Sequence, residues 1–158
     1  MRQTKGFTLM EVMIALLISA ISLLGLAALQ GVARKNIDMS FQYTQASLLM
    51  EDLAERMRAN PIGVRAGFYN GIDTTAVSGT GADCSAGCNP ANIASNDILA
   101  WSAALKNSDL LLQGSGKTQL IGERILITVM WNGKIQRYNT LPTTCPPLDC
   151  MSFEVDSQ

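Results

Sequence analysis

From Val12 to Ala33 the chain runs for 22 consecutive residues without a charged side chain, and this stretch limits the fold more than any other feature. About 20 apolar residues let a helix cross the roughly 30 Å hydrocarbon core of a bilayer, and Val12 to Leu29 supplies nearly all of them. The segment is therefore a membrane helix or a signal peptide. A secretory signal has a shorter apolar region, about 7 to 15 residues, followed by a small-residue cleavage site, a pattern that Gly25-Leu26-Ala27 offers. Glu11 opposes that reading. It sits at the entrance of the apolar run, and an unpaired carboxylate costs about 2.5 to 3.5 kcal/mol at mid-membrane, so it needs either the headgroup zone or a partner.

The rest of the 158-residue chain is ordinary polar protein of one-domain size. A net charge of -1, with no basic run beyond Arg34-Lys35, leaves no electrostatic footprint for a nucleic-acid backbone. The absence of histidine removes Ser-His-Asp and Cys-His catalysis and any imidazole metal site. Asp and Glu are scattered as on a solvated surface, with no convergent acid, base and nucleophile. The expectation is a protein that is not an enzyme, with no cofactor, no metal and no small-molecule substrate.

Beyond Gln30 helix formers continue to Ala59, and Asn60-Pro61 supplies a stop, since the residue before proline is pushed out of the α region. One helix is predicted from Phe7 to Ala59, roughly 80 Å long at about 1.5 Å per residue. In its outer half Met39, Tyr43, Ala46, Met50, Leu53 and Met57 recur at spacings of four and three on one face. That stripe is expected to dock on the chain's own C-terminal part. Arg56 and Arg58 suit the negative end of the helix dipole. Gly25, Gly31 and the small-xxx-small pairs Ala15/Ser19 and Ala27/Gly31 suit tight helix contact.

Asn70 to Asn96 is rich in Gly, Ser, Thr, Ala and Asn and reads as one long loop. Loops beyond about 12 to 15 residues are usually functional or braced, and Cys84 and Cys88 lie inside this one. With Cys145 and Cys150 they allow three disulfide pairings, or a four-thiolate zinc site, whose ribbons usually prefer C-x2-C. An exported domain favours disulfides. A long crosslink would stabilise by about 4 kcal/mol and a short local loop by about 2, but proximity in sequence favours Cys84 with Cys88 and Cys145 with Cys150, and these local pairs are expected. Ser95-Asn96-Asp97 reads as the start of a short helix with Ile98, Trp101 and Leu105 on its apolar face. Glu123 to Trp131 alternates as a strand, Asn132-Gly133 is a two-residue hairpin signal before Lys134 to Tyr138, and Met151 to Val155 reads as a final strand. In that hairpin Ile127 would face Tyr138 and Val129 would face Gln136. The fold class expected is α+β, a long N-terminal helix on a small antiparallel sheet.

Lys5-Gly6-Phe7-Thr8-Leu9-Met10-Glu11 followed by an apolar helix resembles the signal of type IV prepilins and type II secretion pseudopilins, a short basic leader ending in glycine with glutamate at the fifth mature position. The resemblance implies that a prepilin peptidase cuts between Gly6 and Phe7 and methylates the new amine of Phe7. It also implies that Glu11 neutralises the amine of a neighbouring subunit and sets axial register. Leader charge is a weak topology signal, because Arg2 and Lys5 are matched by Arg34 and Lys35 beyond the helix, so orientation rests on the motif. Leu53-Ala54-Glu55-Arg56-Met57-Arg58-Ala59-Asn60-Pro61, Asp97 with Trp101, and Ile125 to Trp131 are similar to the type IV pilus modification protein (PilV) family of minor pilins. The missing proline in the apolar segment also leans toward a minor pilin or a pseudopilin.

The resemblance implies a pilin-like division into a leader (1–6), a membrane and filament-core helix (7–30), its amphipathic continuation (31–60) and a periplasmic globular domain (61–158). It implies a single-pass inner-membrane protein, N-terminus cytoplasmic, that ends in the pilus fibre at the cell surface. Its expected role is structural, priming the fibre or joining a tip complex for pilus biogenesis and twitching motility. Its expected partners are the prepilin peptidase and other minor and major pilins, with no nucleic acid. A minor pseudopilin of a type II secretion system shares the N-terminal signal and is the alternative of the same class; a membrane-anchored or secreted periplasmic enzyme is the alternative of another class.

Overall fold

The computed structural model describes residue 6, residues 8–131 and residues 150–156. The chain divides into two compact units, Met1–Ser40 and Phe41–Gln158. Its elements in order are α1 (Leu9–Ala59), α2 (Pro61–Arg65), α3 (Pro90–Lys106), β1 (Ser115–Ile121), β2 (Arg124–Met130) and β3 (Cys150–Asp156). The class is α+β and pilin-like, a long N-terminal helix with its C-terminal part packed on a small antiparallel sheet.

α1 ends where the sequence predicts, at Ala59. Asn60 does more than stop it. Its side chain accepts from Gly63 N at 3.2 Å and so caps α2, whose first residue is Pro61, a position where the missing N–H of proline costs nothing. In the second unit Ala46, Met50, Leu53 and Met57 of the stripe are buried and Tyr43 packs against them, joined by Leu49 and Ala54. Their cover is Trp101 and Leu105 of α3, Ile125, Ile127 and Val129 of β2, and Trp131. Each fully buried aliphatic side chain of this kind stabilises by about 1.5 to 3 kcal/mol.

α3 starts earlier than expected, at Pro90, capped by the side chain of Asn89, which accepts from Asn92 N at 2.8 Å. Ser95, Asn96 and Asp97 therefore lie inside the helix, and the long loop ends at Asn89. The signal overlooked was Asn89-Pro90, a cap followed by a proline at the first helical position.

The sheet has the order β1-β2-β3, antiparallel throughout. β1 was not expected. It joins β2 through the two-residue turn Gly122-Glu123, where Gly122 takes φ +63°, a backbone shape that glycine adopts without strain. β2 is thus central: Ile127 faces Thr118 and Phe153, and Val129 faces Gly116 and Met151. This corrects the expected pairing of Ile127 with Tyr138 and Val129 with Gln136; the Asn132-Gly133 turn and Lys134 to Tyr138 lie outside the described residues. β2 also departs from simple alternation, since every residue from Ile125 to Met130 is buried.

Candidate functional site

Three places in the chain carry side chains that packing alone does not explain. The first is the start of α1. Thr8 precedes the helix, and its hydroxyl accepts from Glu11 N at 3.3 Å while its carbonyl accepts from Glu11 N and Val12 N. Thr8-Leu9-Met10-Glu11 has the spacing of a capping box, and Glu11 lies in the first turn, where the helix dipole favours an acid. Glu11 is exposed, as is Gly6, where nothing stands within 4 Å of the place a Cβ would occupy. Phe7 lies outside the described residues.

Within the first unit the helix from Val12 to Ala33 carries no charge on any side and is exposed throughout. Leu9, Met13, Leu16, Leu17, Ile21 and Leu24 are between 61% and 80% exposed. Among the described residues α1 is the one helix long and apolar enough to cross a membrane. In the apolar run Ser22 donates to the carbonyl of Ile18 at 2.9 Å, which satisfies the hydroxyl without water. Gly25 and Gly31 have nothing within 4 Å of a notional Cβ. Among the described residues no contact requires those glycines.

The second place is a polar joint where α1, α2 and α3 meet. Tyr69 is fully buried and its hydroxyl donates to Asp97 Oδ2 at 2.6 Å. Asn60 Nδ2 donates to the Tyr69 oxygen at 3.1 Å and to the Pro90 carbonyl at 2.8 Å. Arg56 reaches Asp97 Oδ1 at 3.4 Å and Asp52 Oδ2 at 2.9 Å. Burial, followed by the bond to Asp97, pushes the Tyr69 phenol up from its ordinary value. The bond to Asp52 raises Arg56, against the pull of burial. Arg56 and Arg58 lie in the last turn of α1, as expected, and both also make side-chain pairs, Arg58 with Glu55. With every buried polar side chain among the described residues satisfied, this cluster is a structural joint.

The third place is the loop that carries Cys84 and Cys88. These two form a disulfide with Cα atoms 4.9 Å apart. Asn96, on α3, clamps the loop: its Oδ1 accepts from Ala82 N at 2.6 Å, and its Nδ2 donates to Ala82 O at 3.0 Å and to Cys84 Sγ at 3.2 Å. Cys150 is disulfide-bonded, and Cys145 lies outside the described residues. The described residues contain no group of three or more His, Cys, Asp or Glu side chains that could hold a metal.

Comparison with known proteins bears on the first place above all. Residues 1–27 match the family model described as the prokaryotic N-terminal methylation motif, and residues 28–99 match that of the type IV pilin Tt1218 family. The second match ends at Leu99, inside α3, so the sheet lies outside both. No curated protein and no solved structure matches the chain. The chain is thus similar to type IV pilins in its N-terminal methylation motif and in residues 28–99 that follow it.

Proposed function

We propose that this chain is a minor pilin of a type IV pilus, of the PilV kind, that acts in starting the fibre or in its tip complex. The observation that carries this reading is the helix of the first unit: behind a methylation motif stands an apolar surface that the described residues leave uncovered, with glycines that none of them approaches. A helix hydrophobic all round is stable only inside a membrane or a larger bundle. A subunit that passes from one to the other needs this surface in both.

On this reading a prepilin peptidase cuts between Gly6 and Phe7, which removes Arg2 and Lys5 with the leader and leaves a methylated, cationic amine on Phe7. Glu11 then meets the amine of a neighbouring subunit. Leaving either charge unpaired in an apolar bundle costs about 3 to 5 kcal/mol, so a subunit seated out of register is disfavoured. Before assembly the helix spans the inner membrane with the second unit on the periplasmic side. The basic pair Arg34-Lys35 marks the end of the apolar run and does not set the orientation, which rests on the motif.

Two measurements test the proposal. Mass spectrometry of the protein from cells that hold the peptidase should find a mature terminus at methylated Phe7; a terminus near Ala28 or an intact Met1 overturns the processing step. Deletion of the gene should abolish or reduce twitching motility and leave exoprotein secretion intact. The reverse pattern assigns the chain to a type II secretion pseudopilus.

A further inference from the structure

An edge strand shows a row of unpaired N–H and C=O groups, a template on which another chain can add a strand. β1 is an edge of this sheet, with β2 on its other side. In the antiparallel ladder alternate residues turn their backbone groups away from the neighbour, here Gly116, Thr118 and Leu120. None of their three N–H groups is open. Gly116 N donates to Thr74 Oγ1 at 2.8 Å, Thr118 N to Ile72 O at 3.1 Å, and Leu120 N to Asn70 Oδ1 at 2.8 Å. In return Thr74 N donates to Gly116 O at 3.0 Å.

The segment 70–74 that makes these bonds is not a strand. Two of its three acceptors are side-chain oxygens, placed where a strand would place carbonyls. Its position is fixed from β1 itself. The Thr118 hydroxyl accepts from Ile72 N at 3.1 Å and donates to Tyr69 O at 2.6 Å. Asp73 pairs with Lys117 Nζ at 3.1 Å, and its other oxygen accepts from the amide and hydroxyl of Thr75. Without this strap the far end of β1 would join open backbone donors to apolar side chains, since Leu120 and Ile121 are 44% and 46% exposed. A short β-rich segment with those properties is an aggregation site.

The structure assigns the segment 70–74 a protective role: it is an edge guard that fills the outward donors of β1, so that the β1 edge of one copy cannot pair with the β1 edge of a second copy. The pairing it prevents is antiparallel and two-fold, the commonest way for identical chains to associate. The guard works by hydrogen-bond geometry and is independent of the pilin reading, which only adds that many copies would stand side by side.

Asn70 and Leu120 are both exposed, so the guard can be opened and the edge sealed again without loss of core. In the full-length chain in detergent micelles, Asn70→Ala should raise the exchange rate of the Leu120 amide about tenfold or more. It should also convert a chain that sediments singly into dimers and larger species as concentration rises. Asn70→Asp, which keeps the acceptor oxygen, should sediment as wild type. Adding Leu120→Pro to Asn70→Ala removes the outward N–H at a position where an edge strand tolerates proline, and it should restore the single species. Three results overturn the assignment: a Leu120 amide as protected in Asn70→Ala as in wild type, faster exchange with no self-association, or self-association that persists with Leu120→Pro present.

Discussion

The hydroxyl of Tyr69 donates to Asp97 Oδ2 at 2.6 Å, so a residue from the turn after α2 and one from the middle of α3 share a proton-bearing contact in the interior. Asn60 holds the same phenol from the end of α1. Replacing Tyr69 with Phe keeps the ring and leaves Asp97 and Asn60 each short of a partner. Buried groups stripped of a partner cost about 1 to 3 kcal/mol. Tyr69→Phe should lower the unfolding free energy of the full chain by that amount, read as a lower urea midpoint with an unchanged m-value; no change would show that water replaces the hydroxyl and that the joint is not closed.

The same phenol gives the fold a limit at alkaline pH. Burial first, and Asp97 second, push its pKa up in the folded chain, whereas the unfolded phenol ionises near pH 10. Stability from this group is therefore fully present below about pH 10. It falls as pH rises further, by about 1.4 kcal/mol per pH unit, because the unfolded chain releases a proton that the folded chain retains. Unfolding followed from pH 8 to 11.5 should show wild type losing stability above pH 10 faster than Tyr69→Phe. Parallel curves for the two proteins would refute the shift.

Gly116 lies under the ring of Trp101. A Cβ at this position would stand 2.2 Å from Trp101 Cη2 and 2.9 Å from Leu105 Cδ1, and Trp101 is pinned by its indole N–H to the carbonyl of Leu49 at 2.9 Å. The ring cannot withdraw without losing that bond. Gly116→Ala should cost about 1 to 3 kcal/mol, as overpacked cores do, and should perturb the near-ultraviolet signal of the tryptophans. An alanine variant as stable as wild type would mean that the ring moves freely.

These particulars explain what was legible in the sequence and what was not. α1, its end at Asn60-Pro61 and its buried face follow from the 3.6-residue period and one backbone rule, both local. β2 and β3 are legible because their apolar content is dense. β1 is not, because the face it turns to the core holds Gly116, whose missing side chain makes room for Trp101, and Thr118, whose hydroxyl holds the strap. Neither reads as a strand residue until the tertiary partner is known. The joint of Arg56, Tyr69 and Asp97 spans separations of 28 and 41 residues, which no local pattern encodes. At the candidate site, Gly6, Phe7 and Glu11 are legible by resemblance, and the cap at Thr8 follows from the local spacing of Thr8 and Glu11.

The cysteine loop should depend on both its crosslink and its clamp. A disulfide that closes a loop as short as Cys84 to Cys88 contributes about 2 kcal/mol by the chain-entropy estimate. Asn96 adds three hydrogen bonds to the same segment. Thiol labelling of the unreduced chain should find no free cysteine, and digestion should yield Cys84 linked to Cys88 and Cys145 linked to Cys150. Asn96→Ala should raise the rate at which a reductant opens the Cys84–Cys88 bridge. Peptides that join the two pairs would refute the local pairing, and an unchanged reduction rate would refute the clamp.

The proposed role of Glu11 in assembly can be tested apart from folding. It is exposed in the first turn of α1, and the Thr8 contacts that start the helix use its backbone N–H, not its carboxylate. Glu11→Ala therefore removes a charge and leaves the cap. Insertion, cleavage after Gly6 and methylation of Phe7 should proceed as in wild type, because none of them needs the carboxylate to meet a neighbour's amine. Recruitment into sheared fibres should fall at least tenfold, the equivalent of about 1.4 kcal/mol and well within the cost of an unpaired charge in an apolar bundle. Glu11→Gln keeps a polar side chain of the same length without the charge, and it should fail to the same degree if charge neutralisation sets the register. Normal recruitment of both variants would remove the proposed role of Glu11, and recruitment of Glu11→Gln alone would replace the ion pair by a simple hydrogen bond.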